Sequence, residues 1–441
     1  MRVVVLGGGS TGEHFVGALR RLDDDVELTL VEQRLVGGEC SYYACMPTKT
    51  MLRTAELSSS LDRAPGLEPE RPQPGGVWTW RDWVTSDWDD EGQLEWLAGQ
   101  RCAFVRGKAR VERPGVVTVA GRELPYDRLV VATGSRPSVP PVPGLDGVDY
   151  WTNVDATSTH EVPASLVVMG GGPVGCELAQ FFARVGSTVT LVEHGPHILG
   201  RVHEDAGELV ARVFRDEGID VRTGVAAERV EPRTPGPGIR VTLSGGSTVE
   251  AERLLVATGR QPNAADLGLE QLGVAIERGA VEVDDRCRAA EGVWAIGDVT
   301  GRALFTHVGK YQARVAAADL AGRDAKADYR AIPAGIFTDP EVATVGRTEG
   351  VSARWELTET PRLSTYERPK RDGFVRLFAD PQERVLVGAV GVGPQATEWL
   401  GQLTLAVRAR TPIDVLLDTI QPYPTFSEAI FLALRELDDL L

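Results

Sequence analysis

The chain has 441 residues, too many for one ordinary core, so two to four domains of roughly 100–200 residues are expected. Its 63 Asp plus Glu against 47 Lys plus Arg give a formal charge of −16, which repels phosphate backbones; with no Lys/Arg block to offset it, nucleic acid is excluded as an expected partner. No apolar run approaches the roughly 18 residues that cross a bilayer, and MRVVVLGGG lacks the longer apolar region and cleavage site of a signal peptide, so a cytoplasmic protein without membrane association is expected.

Residues 2–32 read as a β-branched strand, a glycine turn with Gly7, Gly9 and Gly12, an amphipathic helix, and a second strand ending in Glu32. Glycine is needed where the turn is tight, where backbone meets a pyrophosphate, and where helix packs on strand; the helix N-terminus adds amides and a positive dipole end. Glu32, twenty residues after Gly12, stands where a carboxylate accepts from ribose hydroxyls.

Next comes GGECSYYACMPTK (37–49), with Cys40 and Cys45 five residues apart in a chain of 5 cysteines. On a regular helix that spacing separates Cα atoms by about 8.6 Å, beyond the roughly 7 Å that a disulfide spans. A reactive pair therefore requires a distorted helix start, which Gly37 and Gly38 make possible; on a regular helix the two thiols are inert. A zinc site would want four ligands in close pairs, whereas Cys102, Cys176 and Cys287 are scattered singly and the 6 histidines form no cluster with them. No metal is expected, and the three isolated cysteines read as core thiols.

A Pro/Gly-rich loop then leads to a stretch holding Trp78, Trp80, Trp83, Trp88 and Trp96, five of the 9 tryptophans. Burial on an amphipathic helix is the preferred reading; an aromatic acceptor site, for a quinone for example, is the alternative. The strand LVVATGSRP ends in a turn with Thr133 and Gly134. The glycine pattern then repeats at SLVVMGGGPVGCELAQFFARVGSTVTLVE, with Gly170, Gly172, Gly175 and a terminal Glu193, followed by LLVATGRQPN with Thr258 and Gly259. The duplication points to two dinucleotides rather than two ordinary βα turns. Glu193 suits a free 2′-hydroxyl and repels a 2′-phosphate, favouring NADH; His194, His197 and Arg201 follow closely and leave NADPH possible. VWAIGDV sets Asp298 at a strand end, and 306–322 reads as a helix with His307 at its start, as a cap or a cofactor contact. Strands are expected at FVRLFAD and VLVGAVGVG, and helical spacing at ATEWLGQLTLAVRA and IDVLLDTI.

Taken together, the first glycine unit, GGxCxxxxCxPxK, both ATG turns, AIGD, FTDPEVATVG (337–346) and PTFSE (424–428) resemble the FAD-dependent pyridine nucleotide-disulfide oxidoreductases, the group of dihydrolipoamide dehydrogenase, glutathione reductase and mercuric reductase. The resemblance runs end to end. It implies an α/β fold of two Rossmann-like dinucleotide-binding domains, glutathione reductase-like, plus a C-terminal α+β dimerisation domain. The boundaries expected are 1–145 and 268–328 for the FAD-binding domain, 146–267 for the NAD(P)-binding domain and 329–441 for the dimerisation domain. FAD would lie on the first unit, with Glu32 at its adenosine ribose, Asp298 near the ribityl-phosphate region and the His307 helix aimed at the flavin pyrimidine. NADH, or NADPH, would lie on the second. Cys45 would be the thiol beside the isoalloxazine and Cys40 the one that attacks the acceptor, a small molecule. Lys49 and Glu177 would form an ion pair near the flavin, where a positive charge and a helix N-terminus lower thiol pKa and favour the reduced flavin anion. A homodimer that shares its active sites across the interface follows as well.

Two departures stand out. Relatives end in a motif like HPTLSE, whose His, oriented by Glu and supplied by the other subunit, moves protons at the exposed thiol. Here IQPYPTFSE puts Tyr423 at that position and Gln421 at another common His, keeps Glu428, and no histidine follows His307. A phenol near pKa 10 is ionised about once per thousand molecules at neutral pH, whereas imidazole near 6.5 exchanges readily. Pro173 stands where several relatives carry an aromatic gate. Without an N-terminal metal-binding domain or a C-terminal cysteine pair, reduction of mercuric ion, or of thioredoxin through a C-terminal redox centre, is not expected. The leading reading is an NADH-dependent flavoprotein that reduces a disulfide or other small acceptor through Cys40 and Cys45. A diaphorase-like quinone reductase working from flavin, and a non-enzymatic dinucleotide sensor, are the alternatives.

Overall fold

The computed structural model describes every residue of the chain except Pro69 and Pro235. Contacts divide it into two compact units: Met1–Pro47 with Trp80–Ser138 and Gly259–Asp328, and Thr48–Thr79 with Val139–Thr258 and Tyr329–Leu441. The opening elements are β1 (Arg2–Leu6), α1 (Ser10–Leu22), β2 (Glu27–Glu32), α2 (Gly38–Tyr42), α3 (Cys45–Leu61), α4 (Pro74–Val84), α5 (Glu91–Gly99) and β3 (Cys102–Arg106).

The first unit is built on a six-stranded sheet ordered Arg288–Ala290, Val293–Ala295, Arg128–Val131, β1, β2, β3. All of its pairings are parallel except that of Arg288–Ala290. Strands covered on both faces must be apolar throughout, hence VVVL in β1, whose four residues are buried. α1 buries Phe15, Val16, Ala18 and Leu19 and closes on Arg20 and Arg21, cations that complement the negative end of the helix dipole. The helix Thr306–Leu320 packs against α1 so tightly that a Cβ on Gly309 would fall 2.1 Å from the Thr11 hydroxyl.

In the second unit a four-stranded parallel sheet runs Asp220–Arg222, Thr188–Val192, Ser165–Met169, Arg253–Val256, beside a three-stranded antiparallel sheet over 227–251. The five-stranded antiparallel sheet Pro333–Ile336, Glu341–Gly346, Val385–Gly393, Phe374–Asp380, Val351–Glu356 carries both strands expected near the C-terminus. Helices Ala396–Ala409 and Ser427–Asp438 cover it with Trp399, Leu403, Ile430 and Leu434 in its core. The helix expected at 413–420 stops at Leu417, and Ile420 beyond it is 94% exposed. Among the described residues no helix is long and apolar enough to cross a membrane.

The tryptophan stretch divides. Trp78 is buried edge-on against Phe181, with ring centroids 5.7 Å apart. The Trp88 indole donates to the Tyr42 carbonyl at 3.2 Å, and the Trp96 ring covers Gly17. Trp83 is 75% exposed, so burial explains part of the cluster only.

Candidate functional site

The two glycine turns are built alike, and the fold accounts for some of their glycines but not all. A Cβ on Gly7 would lie 2.2 Å from the Ala132 carbonyl oxygen and one on Gly12 2.1 Å from that of Gly7; the counterparts are Gly170 at 2.4 Å from Ala257 and Gly175 at 1.9 Å from Gly170. Packing alone therefore demands glycine at these four positions. Gly9 and Gly172 differ: their backbones, at φ −71° and −75°, accept any residue, and a Cβ would meet nothing nearer than 3.8 Å at Gly9 and nothing within 4 Å at Gly172. What these two leave open is space in front of a helix N-terminus, the place where an anion binds.

Each turn is also braced by its acid. Glu32 accepts from the Gly8 amide at 2.8 Å and the Arg34 amide at 2.7 Å; Glu193 accepts from Gly171 at 2.7 Å and Gly195 at 2.6 Å. A carboxylate has about four acceptor positions, so each glutamate stiffens its loop and can still receive a ribose hydroxyl. These residues fit a dinucleotide in both places. His194 lies 2.9 Å from Glu193 and is itself exposed.

The cysteine segment is not one regular helix. α2 ends at Tyr42, Tyr43 leaves helical geometry at φ −138°, ψ 2°, and α3 begins at Cys45. The break falls between the two cysteines. Gly37 and Gly38 hold φ of +111° and +66°, and Gly38 passes Gly9 so closely that a Cβ would sit 2.7 Å from its Cα, so only glycine serves there. Both cysteines are half-buried free thiols, and Cys45 is the largest influence on the Cys40 thiol. The Thr306 hydroxyl, at the start of helix Thr306–Leu320, lies 3.6 Å from Cys45 Sγ. Neighbouring Cys45 and burial push the Cys40 thiol well up, against the pull of Thr306 and the Lys310 charge. Cys102, Cys176 and Cys287 are buried.

Beside this pair, in the same unit, runs a polar chain that joins the strand-end turns. Arg260 binds Glu39, the neighbour of Cys40, at 2.5 Å and donates to the Ser135 hydroxyl at 2.7 Å; that hydroxyl donates to Asp298 at 2.6 Å. Burial raises the Asp298 carboxyl above its ordinary value, opposed by Ser135 and Arg260. Thr133 donates to the Asn263 carbonyl at 2.7 Å, Asn263 N donates to the Gly134 carbonyl at 2.9 Å and Ser138 N to that of Gly259 at 2.9 Å, so the two ATG turns are laced together. His307 is exposed, its ring stacked on Phe305 at 5.2 Å.

In the second unit Lys49 and Glu177 meet as expected, Nζ to Oε2 at 2.7 Å. The other Glu177 oxygen accepts from the Phe337 amide at 2.8 Å, and the Lys49 ammonium lies 5.0 Å from the Phe337 ring centroid. Tyr423, 71% exposed, and Glu428 line a cleft of about 310 Å³ with Leu417, Ile420 and Phe431. Glu428 Oε2 is buried there without a hydrogen-bond partner among the described residues.

Sequence reasoning did not anticipate Thr306 beside the thiols, the Glu39–Arg260 pair, or Asp339 held by Arg63, Arg184 and Arg371. The acid inside GGEC and the Arg after the second ATG were visible, but nothing local marks them as partners.

Known proteins agree with this architecture. The pyridine nucleotide-disulphide oxidoreductase family matches residues 1–322, and its dimerisation domain matches 332–434, which supports a homodimer. The chain is 32% identical to dihydrolipoyl dehydrogenase 2 of Haloarcula marismortui, across 97% of this chain and 94% of that one. It is 33% identical to a mercuric reductase of Acidithiobacillus ferrooxidans, across 98% and 82%. Among solved structures it superposes on LpdA from Mycobacterium tuberculosis (TM-score 0.88, 27% identity, 99% of both chains) and on the HOCl-induced flavoprotein disulfide reductase RclA from Escherichia coli (TM-score 0.86, 25% identity, 100% of both). With two dinucleotide cradles, a paired dithiol and the dimerisation domain, the chain belongs to the pyridine nucleotide-disulphide oxidoreductases, enzymes that use FAD and NAD(H) or NADP(H) to drive disulfide redox chemistry.

Proposed function

We propose that the chain carries electrons from NADH through FAD to the Cys40–Cys45 pair and on to a small disulfide. FAD would lie on 1–145 and 268–328, nicotinamide on 146–267, and residues 329–441 would complete the site of the other subunit. When bound, FAD accepts a hydride from nicotinamide and releases two electrons. The observation that carries this reading is the helix break at Tyr43, which parts α2 from α3 between the two cysteines; on an unbroken helix thiols five residues apart could not pair.

Each residue then has a task. Gly7, Gly9, Gly12 and Glu32 would bind FAD, with Asp298, Thr133 and Gly134 at its ribityl end and His307 on the helix that faces the flavin. Gly170, Gly172, Gly175 and Glu193 would bind NADH, Glu193 disfavouring a 2′-phosphate, with Gly259 at the neighbouring turn. The ammonium of Lys49, oriented by Glu177, favours negative charge nearby. Cys45 would exchange electrons with the cofactor and Cys40 attack the acceptor. Tyr423 and Glu428 stand where relatives keep a proton-transfer pair, but an exposed phenol is a poor base.

Anaerobic titration with NADH tests the scheme: a long-wavelength charge-transfer band after two electrons, lost in Cys45→Ser, is expected, together with loss of disulfide turnover in Cys40→Ser. Tyr423 favours a second reading, direct reduction of quinones from flavin, in which quinone turnover survives Cys40→Ser and no such band forms.

A further inference from the structure

The thiol assigned to the acceptor lies on a helix that cannot hold itself in place. α2 has 5 residues, Gly38–Tyr42, too few to be stable alone, because the first hydrogen-bonded turn is a costly nucleus. Its Gly37 cap supplies no side-chain bond, and it is jointed on both sides, by Gly37 and Gly38 at positive φ before it and by the break at Tyr43 after it. Anchors outside α2 must therefore fix Cys40, its central residue. At the C-terminal end the anchor is Tyr42. Its hydroxyl lies 3.1 Å from the Asp89 carbonyl and 3.1 Å from Gln93 Oε1, and its own carbonyl accepts from the Trp88 indole.

At the N-terminal end the anchor is Glu39, the residue before Cys40. Its Oε2 accepts from Arg260 Nη2 at 2.5 Å, and the two side chains are only 20% and 18% exposed. Arg260 is itself held: the same nitrogen donates to the Ser135 carbonyl at 2.9 Å, Nε donates to the Ser135 hydroxyl at 2.7 Å, and the strand Arg260–Pro262 pairs with Ser135–Pro137. The Ser135 hydroxyl donates in turn to Asp298 at 2.6 Å, and Arg260 Nε lies 4.0 Å from that carboxylate. One guanidinium fork thus carries the cysteine turn on one side and, on the other, the acid assigned to the ribityl end of FAD. An acid in the first turn would complement the helix dipole without any partner. A planar fork bound to Glu39 and Ser135 at once also dictates position.

We propose that Glu39, acting through Arg260, is a positioning residue for Cys40: it fixes the attacking thiol relative to Cys45 and to Asp298. This rests on the reading of Cys40 and Cys45 as the redox pair. In that chemistry the Cys40 sulfur must meet two partners in turn. It bonds one acceptor sulfur as the acceptor's S–S bond breaks and the other acceptor sulfur leaves; Cys45 then displaces the half still bound, and the Cys40–Cys45 bond closes. Two electrons and the protons of the two thiols pass to the acceptor, which departs as two thiols. The closing step is intramolecular, so its rate and its equilibrium both depend on how well the two thiols are held in register. On a loose α2 the effective concentration of one thiol at the other falls, which weakens the disulfide and slows its closure. Glu39 exerts this effect by where it holds α2, not by acting on a reacting atom.

The test uses FAD-loaded enzyme equilibrated in dithiothreitol redox buffers at pH 7, with the Cys40–Cys45 disulfide fraction read by iodoacetamide quenching and mass spectrometry. Glu39→Ala should lower the disulfide–dithiol equilibrium constant about tenfold, a shift of about 30 mV to more oxidising potential, and Arg260→Met should do the same. The double variant should shift no further than either single one, because both changes cut one pair. Glu39→Gln keeps an oxygen for the guanidinium and should recover part of the shift. Turnover of 2-hydroxyethyl disulfide, relative to the NADH–ferricyanide rate of the same preparation, should fall about tenfold in Glu39→Ala. An anchor that served the fold alone would lower the urea midpoint and leave the potential where it was; that result, or additive shifts in the double variant, overturns the proposal. If Glu39→Ala does not hold FAD, Glu39→Gln and Arg260→Lys, which keeps the charge but not the fork, decide by the same potential measurement, and an unshifted value in both is equally fatal. Disulfide turnover that survives Cys40→Ser would sink the dithiol reading itself, a separate outcome.

Discussion

Glu177→Gln is the substitution whose consequences follow most directly from the structure. Glu177 is 3% exposed and binds the Lys49 ammonium at 2.7 Å; at an effective dielectric of 20 that separation corresponds to about 6 kcal/mol of attraction before desolvation is subtracted. Gln can still accept from the Phe337 amide, so backbone satisfaction survives and the change isolates the charge. Breaking a buried pair costs about 3–5 kcal/mol because the remaining charge is stranded, but the Lys49 side chain is 33% exposed and recovers part of its hydration. A loss of about 2–3 kcal/mol is therefore expected. Urea denaturation of Glu177→Gln, Lys49→Met and the double variant provides the assay. The double variant should be more stable than the sum of the single losses implies, by about 1–3 kcal/mol, since removing the lysine removes the stranded charge. Stopped-flow reduction by NADH should slow in each single variant. Strict additivity of the two losses, with no change in flavin reduction, would refute both the energetic argument and the role given to the pair.

Three further outcomes are expected. Gly12→Ala should prevent folding, because its Cβ would lie 2.1 Å from a backbone oxygen, whereas Gly9→Ala should fold with normal circular dichroism yet release FAD on gel filtration. Asp339→Asn should cost about 3–5 kcal/mol. Its carboxyl is held well below the ordinary range, burial being overridden by Arg184, Arg371 and Arg63. That stabilisation is complete above the unfolded value near 3.9 and is lost as pH falls toward the lower folded one, so the variant's stability should vary less with pH below about 4 in acid titrations. Tyr423→His should raise alkyl-disulfide turnover near pH 7 if the missing base is what limits it; no gain in kcat/KM would remove that explanation.

What the sequence alone determined is whatever depends on neighbours along the chain. A β-branched run followed by GGG and an amphipathic helix specifies a βα turn, since strand, positive-φ glycine and helix N-terminus lie within about ten residues, and the repeat at 165–193 announced a second dinucleotide. The strands 374–380 and 385–393 were legible for the same reason, through their local richness in β-branched and apolar residues. The cysteine pair was only half legible: the spacing posed the question of a helix break, and the close approach of Gly38 to Gly9 answered it through packing between distant segments. Tertiary structure alone decided the partners. Lys49 finds Glu177 across 128 residues, Glu39 finds Arg260 across 221, and Cys45 finds Thr306 across 261. Local propensity carries no information about such separations; these contacts exist because sheets and helices must bury their apolar faces, and within each unit that burial brings the polar ends of remote strands and helices together.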